Sequence, residues 1–441
     1  MRRTLLVLAL LAMLPACGDV ISFLEAGPKK IKRAKGERID VIMAQPKLKP
    51  AEGAEDYPVE IPDQAPLDTW ANRNEAMLTP HIGLTGINEE ESAQIGKGHA
   101  FSRNEVPAPV AAAGLVIAMD AAGVLSAHDM TDISNVRWRS KAATSEDVDD
   151  VLGGGIAVGE GVIYATTGYG ALAAIELTTG KTKWRISVGA PVRGAPAVAE
   201  AEKRVIVLTA DNQTLAFDAE TGEPRWEHRG IRESAGYFSN TSPVISEGIV
   251  ISAYSSGEVF AIRAETGSVL WTDTVVSGVK TSASAVFSGI DADPIVQDGV
   301  VVVTSASGHM QASALLNGRP LWQQRLGAHT TPWSAGNAIF VLTDTNELTA
   351  LFKREGKVRW ATSLGRLDHV GRDITPPLHG PILAGNAVLV VSGEGELMTF
   401  RPQDGQRLGS YELDGEMASP PIAAGGSLFL ISKDATLHRY Y

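Results

Sequence analysis

Three stretches decide the architecture: ELTTGKTKW (176–184), DAETGEPRW (218–226) and RAETGSVLW (263–271). Two shorter copies follow, LLNGRPLW (315–322) and KREGKVRW (353–360). In all five a glycine stands four residues before the tryptophan: Gly180, Gly222, Gly267, Gly318 and Gly356. An alanine stands ten before it: Ala174, Ala216, Ala261, Ala312 and Ala350. Two divergent copies flank these. One ends at Trp138 with its alanine, Ala127, one residue further back. The other, PQDGQRLG (402–409), keeps Gly405 but has Gly409 in the tryptophan position.

An independent count comes from the starts of the apolar segments. Pro109, Pro196, Pro243, Pro294, Pro332, Pro381 and Pro421 each open one, and Gly155 does so in the second unit; the eight starts lie 38 to 51 residues apart. The segments that follow, such as GVVVVTS (299–305) and NAVLVVS (386–392), are β-branched and too short for helices. A repeat of about 40–45 residues carrying four short strands is the pattern of a propeller blade. The eighth unit, from Pro421, ends at Tyr441 with no tryptophan strand, while Trp70 stands upstream of the first unit. The expectation is an all-β, eight-bladed propeller whose last blade is completed by an N-terminal strand around Trp70, because an open array would leave an aggregating edge. On that reading seven of the eight tryptophans are equivalent, and only Trp333 lies elsewhere. The turn glycine tolerates a left-handed backbone. The alanine lets neighbouring blades approach, and the tryptophan fills the gap between sheets. Seven tryptophans separated by a blade each cannot converge on one ligand, so they are read as packing.

The chain outside the repeat speaks to compartment. Arg2 and Arg3 precede the ten-residue apolar run LLVLALLAML (5–14), and LPAC ends at Cys17, the sole cysteine among 441 residues. This is a positive n-region, an h-region too short to span a membrane, and a small residue before a cleavage point. Residues 1–16 are read as a signal peptide. Residues 17–66, with the basic cluster KKIKRAKGER (29–38) and Pro46, Pro50, Pro58, Pro62 and Pro66, are read as a flexible linker. Residues 67–441 are the propeller. The formal net charge of -12 and the lack of a large basic patch argue against nucleic acid. One cysteine excludes an intrachain disulfide and a thiolate-rich metal site. The nine histidines form no H-x-H or H-E-x-x-H pair, and no G-x-S-x-G elbow or Walker A loop occurs. No catalytic residue and no metal site is assigned.

LPAC resembles the bacterial lipobox, which implies lipid attachment at Cys17. Each buried methylene adds about 0.8 kcal/mol, so two or three chains anchor firmly. Gly18 after the cysteine resembles an outer-membrane address. The blades with an (A/D)-x-x-TG-x-x-x-W core resemble the PQQ-type propeller repeat over nearly all of residues 105–441. With the lipobox and the Pro-rich segment, the chain resembles the BamB family of lipoproteins of the outer-membrane β-barrel assembly (BAM) complex. That resemblance implies a non-catalytic scaffold without cofactor, outer-membrane anchored and periplasm-facing. It also implies contact with the barrel protein BamA, and unfolded outer-membrane proteins as possible clients. The contact would fall in the two connections after Trp226 and Trp271, the latter the longest at 23 residues to Pro294. The family pattern A-x-L-S-x-V-D is matched by Ala285, Phe287, Ser288, Ile290 and Asp291, so the implied partner-binding residues are Tyr237, Phe238, Phe287, Ser288, Ile290, Asp291 and Asp293. Phe238 replaces a family arginine and Gly289 a family aspartate, which removes salt-bridging groups. Two alternatives stay open: a PQQ-dependent quinoprotein dehydrogenase, which shares the repeat, and a sugar- or polymer-binding lipoprotein.

Overall fold

The computed structural model describes residues 48–98, 106–143, 153–192, 194–232, 241–275, 289–305, 308–365 and 376–441. All lie within one compact unit, Pro46–Tyr441. Eight four-stranded antiparallel sheets form the blades. In chain order they cover residues 110–141, 154–187, 197–229, 244–274, 295–324, 333–363, 378–412 and 422–440; the eighth is completed by Glu90–Gln94. Within the first seven blades the strands run from innermost to outermost in sequence order. Seven of the eight innermost strands, all but Gly154–Gly159, begin right after a proline. An innermost strand is the edge of its sheet, where a missing ladder N–H costs little. The second strands are almost wholly buried, while outermost strands such as Thr182–Ser187 alternate half-buried and exposed.

The repeated residues meet across blade boundaries. Within a blade, Ala127, Ala174, Ala216, Ala261, Ala312 and Ala350 pair with Trp138, Trp184, Trp226, Trp271, Trp322 and Trp360, and the register shifts immediately after each pair. Ala127 holds its pairing despite the extra residue because the longer turn Asp129–Asn135 absorbs it. Each indole then lies on the glycine turn of the next blade. A Cβ added at Gly180, Gly222, Gly267, Gly318, Gly356 or Gly405 would come within 2.4–2.9 Å of the preceding blade's tryptophan ring. Each indole N–H also donates to a carbonyl of that next blade, from Trp138 to Leu177 (2.9 Å) through to Trp360 to Pro402 (2.9 Å). Glycine is thus required twice, for its positive φ and for the indole seated on it.

The closing strand is not the one expected. Glu90–Gln94, not the segment around Trp70, pairs with Thr436–Tyr440 and completes the eighth blade, in register Glu90↔Tyr440 to Gln94↔Thr436. Its sequence EESAQ is polar because an outermost strand needs no apolar face. The eighth blade is therefore split between distant parts of the chain and has no turn joining its third and fourth strands. No glycine turn exists there for a seventh-blade tryptophan to cover, and Gly409 stands in that slot. At the seam with the first blade, polar groups replace the indole. Arg439 donates to Thr131 O (2.7 Å) and pairs with Glu91 (3.1 Å), which accepts from Ile133 N (3.4 Å).

Residues 48–66, expected as part of the linker, lie on the sixth blade. Ala51 N donates to Val358 O (2.8 Å), Arg359 Nε to Tyr57 O (2.9 Å), and Asn337 N to Glu60 O (3.1 Å). Ala54 and Val59 are buried. The folded unit begins near Pro46.

The indole–glycine contact yields a prediction. Gly356→Ala combines a left-handed alanine, costing about 1–2 kcal/mol, with overpacking against Trp322, a further ~1–3 kcal/mol. Gly299→Ala has the same positive φ but nothing within 4 Å of its Cβ. Urea denaturation should show the first losing clearly more stability than the second; equal losses would mean that the indole does not hold the glycine turn.

Candidate functional site

The ring's axis is filled by the chain itself. Trp70 exchanges backbone hydrogen bonds with Ala111 of the first blade (Trp70 N to Ala111 O 2.7 Å, the reverse 3.0 Å). Asn72 then caps a single helical turn, Arg73–Ala76, its Oδ1 accepting from Glu75 N at 3.0 Å. Arg73 Nη2 donates to Thr331 O (2.9 Å) and Pro381 O (2.6 Å), and its guanidinium lies 5.4 Å from the Trp333 ring centre. Trp333 stacks on Trp70 (centroids 5.8 Å apart, planes at 21°), and its indole N–H donates to Pro80 O. Asn74 accepts from Val296 N, Gln297 donates to Met77 O, and Ile82 N donates to Leu383 O. Residues 65–82 thus reach the inner strands of the first, fifth, sixth and seventh blades, with Ala71 O accepting from Val158 of the second. The two tryptophans that fall outside the repeat slots are each other's partner.

Beside this plug, on the side where the long connections enter the inner strands, lies a cavity of about 270 Å³. Asn72, Arg73, Asn74 and Glu75 form one wall; Asp293, Thr330 and His379 come from the opposite side. Burial dominates the electrostatics. It pushes the Asp293 carboxyl up to about 6, against the opposing pull of Ser242 N–H (2.5 Å to Oδ1) and the Arg73 charge. It pushes the Arg73 guanidinium down to about 10 and His379 down to about 4, so this imidazole is neutral at pH 7. Burial likewise raises Glu75. Arg73 Nε, Thr330 Oγ1 and His379 Nε2 are buried and have no hydrogen-bond partner, a condition that costs about 1–3 kcal/mol each when nothing satisfies it.

The expected partner-binding residues fare differently. Cys17, Tyr237, Phe238, Phe287 and Ser288 lie outside the described residues. Ile290 is fully buried, bridges Ser305 and packs in the core cluster of the fourth and fifth blades, so it is not an outward anchor. Asp293 is only partly exposed and ties connections together, its carboxylate accepting from Ser242 N and its own N–H donating to Thr331 Oγ1 (3.1 Å). Asp291 is partly exposed as well, its carboxylate 3.2 Å from the half-exposed His329. The axial plug was missed by the repeat analysis. Its traces were the Asn72-Arg-Asn-Glu75 capping pattern and the two tryptophans out of register. Among the described residues no group of three or more His, Cys, Asp or Glu side chains is arranged to hold a metal ion.

Comparison with known proteins places this geometry. The family model described as outer membrane protein assembly factor BamB matches residues 121–362. An uncharacterized protein of Rickettsia conorii is 26% identical over 273 residues, covering 61% of this chain and 65% of that protein. Outer membrane protein assembly factor BamB of Yersinia pestis is 21% identical over 331 residues, covering 74% of this chain and 81% of the relative. The crystal structure of BamB from Moraxella catarrhalis superposes with a TM-score of 0.66 at 18% identity, over 81% of this chain and 99% of that one. Quinohemoprotein alcohol dehydrogenase from Comamonas testosteroni superposes with a TM-score of 0.63 at 14% identity, over 85% and 80%. At such identities the two superpositions establish the propeller and nothing more.

The axial groups predict a pH effect. Asp293 has a folded pKa raised from 3.8 to about 6, so its contribution is fully present below 3.8 and is lost as pH rises through 6. His379, lowered from 6.5 to about 4, acts oppositely, losing stability as pH falls through the same window. The two slopes offset each other. Asp293→Asn keeps an acceptor for Ser242 N–H and removes one slope. The variant should gain about 2–3 kcal/mol over wild type at pH 7, by urea denaturation, and the gain should vanish near pH 4. A difference independent of pH would show that Asp293 is not held by burial in its neutral form.

Proposed function

The chain belongs to the family of outer membrane protein assembly factor BamB, and from that premise we propose that it is a non-catalytic scaffold lipoprotein of the BAM complex. It is anchored in the outer membrane through Cys17, faces the periplasm, and assists folding and insertion of β-barrel proteins by binding BamA. The observation that carries this reading is the family match across residues 121–362, most of the repeated blades. The closed ring supports it. With its axis filled by residues 65–82, the propeller offers a braced body, and the connections between blades are where a rigid scaffold presents a binding surface. Asp291, beside His329, is the described member of the proposed rim. Tyr237, Phe238, Phe287 and Ser288 belong to the same two connections in sequence and are proposed to complete the contact. The dehydrogenase reading rests on shared fold alone.

Two experiments test the proposal. Cys17→Ala should leave the propeller's melting point unchanged and move the protein out of the membrane fraction after carbonate washing; retention would refute the lipid anchor. Phe287→Ala combined with Asp291→Arg should keep the melting point yet fail to recover BamA from solubilised outer membranes, since truncated anchors cost ~1–4 kcal/mol each. Lys181→Ala with Glu223→Ala, at the opposite end of the outer strands, should recover it normally. Wild-type recovery by the first pair would remove this rim from the contact, and dye reduction dependent on added quinone would favour the enzyme.

A further inference from the structure

Seven buried side-chain atoms among the described residues have no hydrogen-bond partner, and three of them, Arg73 Nε, Thr330 Oγ1 and His379 Nε2, belong to residues lining the axial cavity. Arg73 draws the three together. Its Nη2 holds the carbonyl of Thr331, next to Thr330, and that of Pro381, two residues from His379. The three atoms are of both kinds. Arg73 N–H donates, the Thr330 hydroxyl donates or accepts, and neutral His379 accepts at Nε2 because its other nitrogen is bonded to the Met417 backbone. Asn72 and Asn74 have their carbonyl oxygens engaged by Glu75 N and Val296 N, so their amide nitrogens add donors. Trp70 and the prolines that open the inner strands add apolar surface. The charged groups of the lining are of both signs, Arg73 among the carboxylates of Glu75, Asp291 and Asp293, with His329 beside Asp291. A carboxylate ligand would meet Asp293, and an ammonium would meet Arg73.

We propose that this cavity is a binding site for a small uncharged polyhydroxyl ligand, a mono- or disaccharide. Each ring hydroxyl donates and accepts at once, which matches unpaired donors and acceptors carried by residues lining one cavity. The C–H faces of a sugar ring pack on proline and tryptophan. At about 270 Å³ the void stands at the small end of ligand pockets, roughly 300–1,000 Å³. The cavity shares Asp291 and His329 with the rim proposed for partner contact, but the inference does not depend on that contact.

The test titrates the full-length protein in detergent with glucose, N-acetylglucosamine, acetate and ethylammonium, by saturation-transfer difference NMR and calorimetry. One of the two neutral sugars should bind, in the millimolar range. Thr330→Val, which keeps the shape and removes the hydroxyl, should weaken it about tenfold, the equivalent of one hydrogen bond, with the melting point held within a few degrees. His379→Phe is the second variant and should do the same. No binding of either sugar at tens of millimolar would overturn the proposal, leaving a water-filled cavity. Acetate or ethylammonium binding in their place would overturn it as well, as would variants that fold and bind like wild type.

Discussion

The contact on which the rest of the structure depends is an indole seated on a glycine. Each of six tryptophans is held within its own blade by pairing with alanine, and beyond it by a turn in the next blade that admits no side chain. The indole N–H fixes the contact by bonding a carbonyl just before that turn. Because the same three residue types meet at each of these boundaries, each sheet is set against its neighbour in the same way. A constant step between sheets is what allows a chain of repeats to return to its start. Propensity within a blade makes strands; the contact between blades makes a ring.

Two of the eight boundaries cannot use this device, and both involve the blade assembled from the two ends of the propeller. A strand arriving from elsewhere in the chain brings no glycine turn with it. The seventh blade accordingly has Gly409 where a tryptophan would find nothing to cover. The seam between the eighth and first blades is held instead by Arg439 and Glu91, which bond to Thr131 O and Ile133 N of the first blade. Such bonds are directional and register-specific, which suits a closing strand that must find its partner across the whole chain.

The repeat was legible because its residues serve local neighbours at fixed spacing. Blade number, strand order and the six equivalent tryptophans follow from that spacing. Closure was legible as a necessity but not as a place. EESAQ lacks the apolar alternation that marks a strand, while Trp70 carried the expected residue type and serves the axis instead. Ile290 was misread for a related reason: it lies in a long connection, yet that connection dips into the core at Ser305 before the fifth blade begins. The axial site was illegible. Arg73, Asp293, Thr330 and His379 are brought together only by closing the ring, and no spacing in the chain announces that.

An outer membrane protein assembly factor family and a dehydrogenase share this architecture, so the propeller by itself does not settle activity. Alternation of indole and glycine occupies the boundaries between blades and leaves the two rims and the axis to vary. Here the axis has been given to the protein's own residues 65–82, which bond to the inner strands of five blades. A ring braced from inside deforms little when a partner pulls on one rim, so binding there loses little free energy to reorganisation. The same brace uses its polar groups incompletely. Arg73 binds two carbonyls and leaves Nε unmatched, and the neighbouring histidine and threonine are left likewise. Three of the seven unmatched buried polar atoms among the described residues thus gather around one cavity at the axis, where side chains from the plug and from separate blades meet.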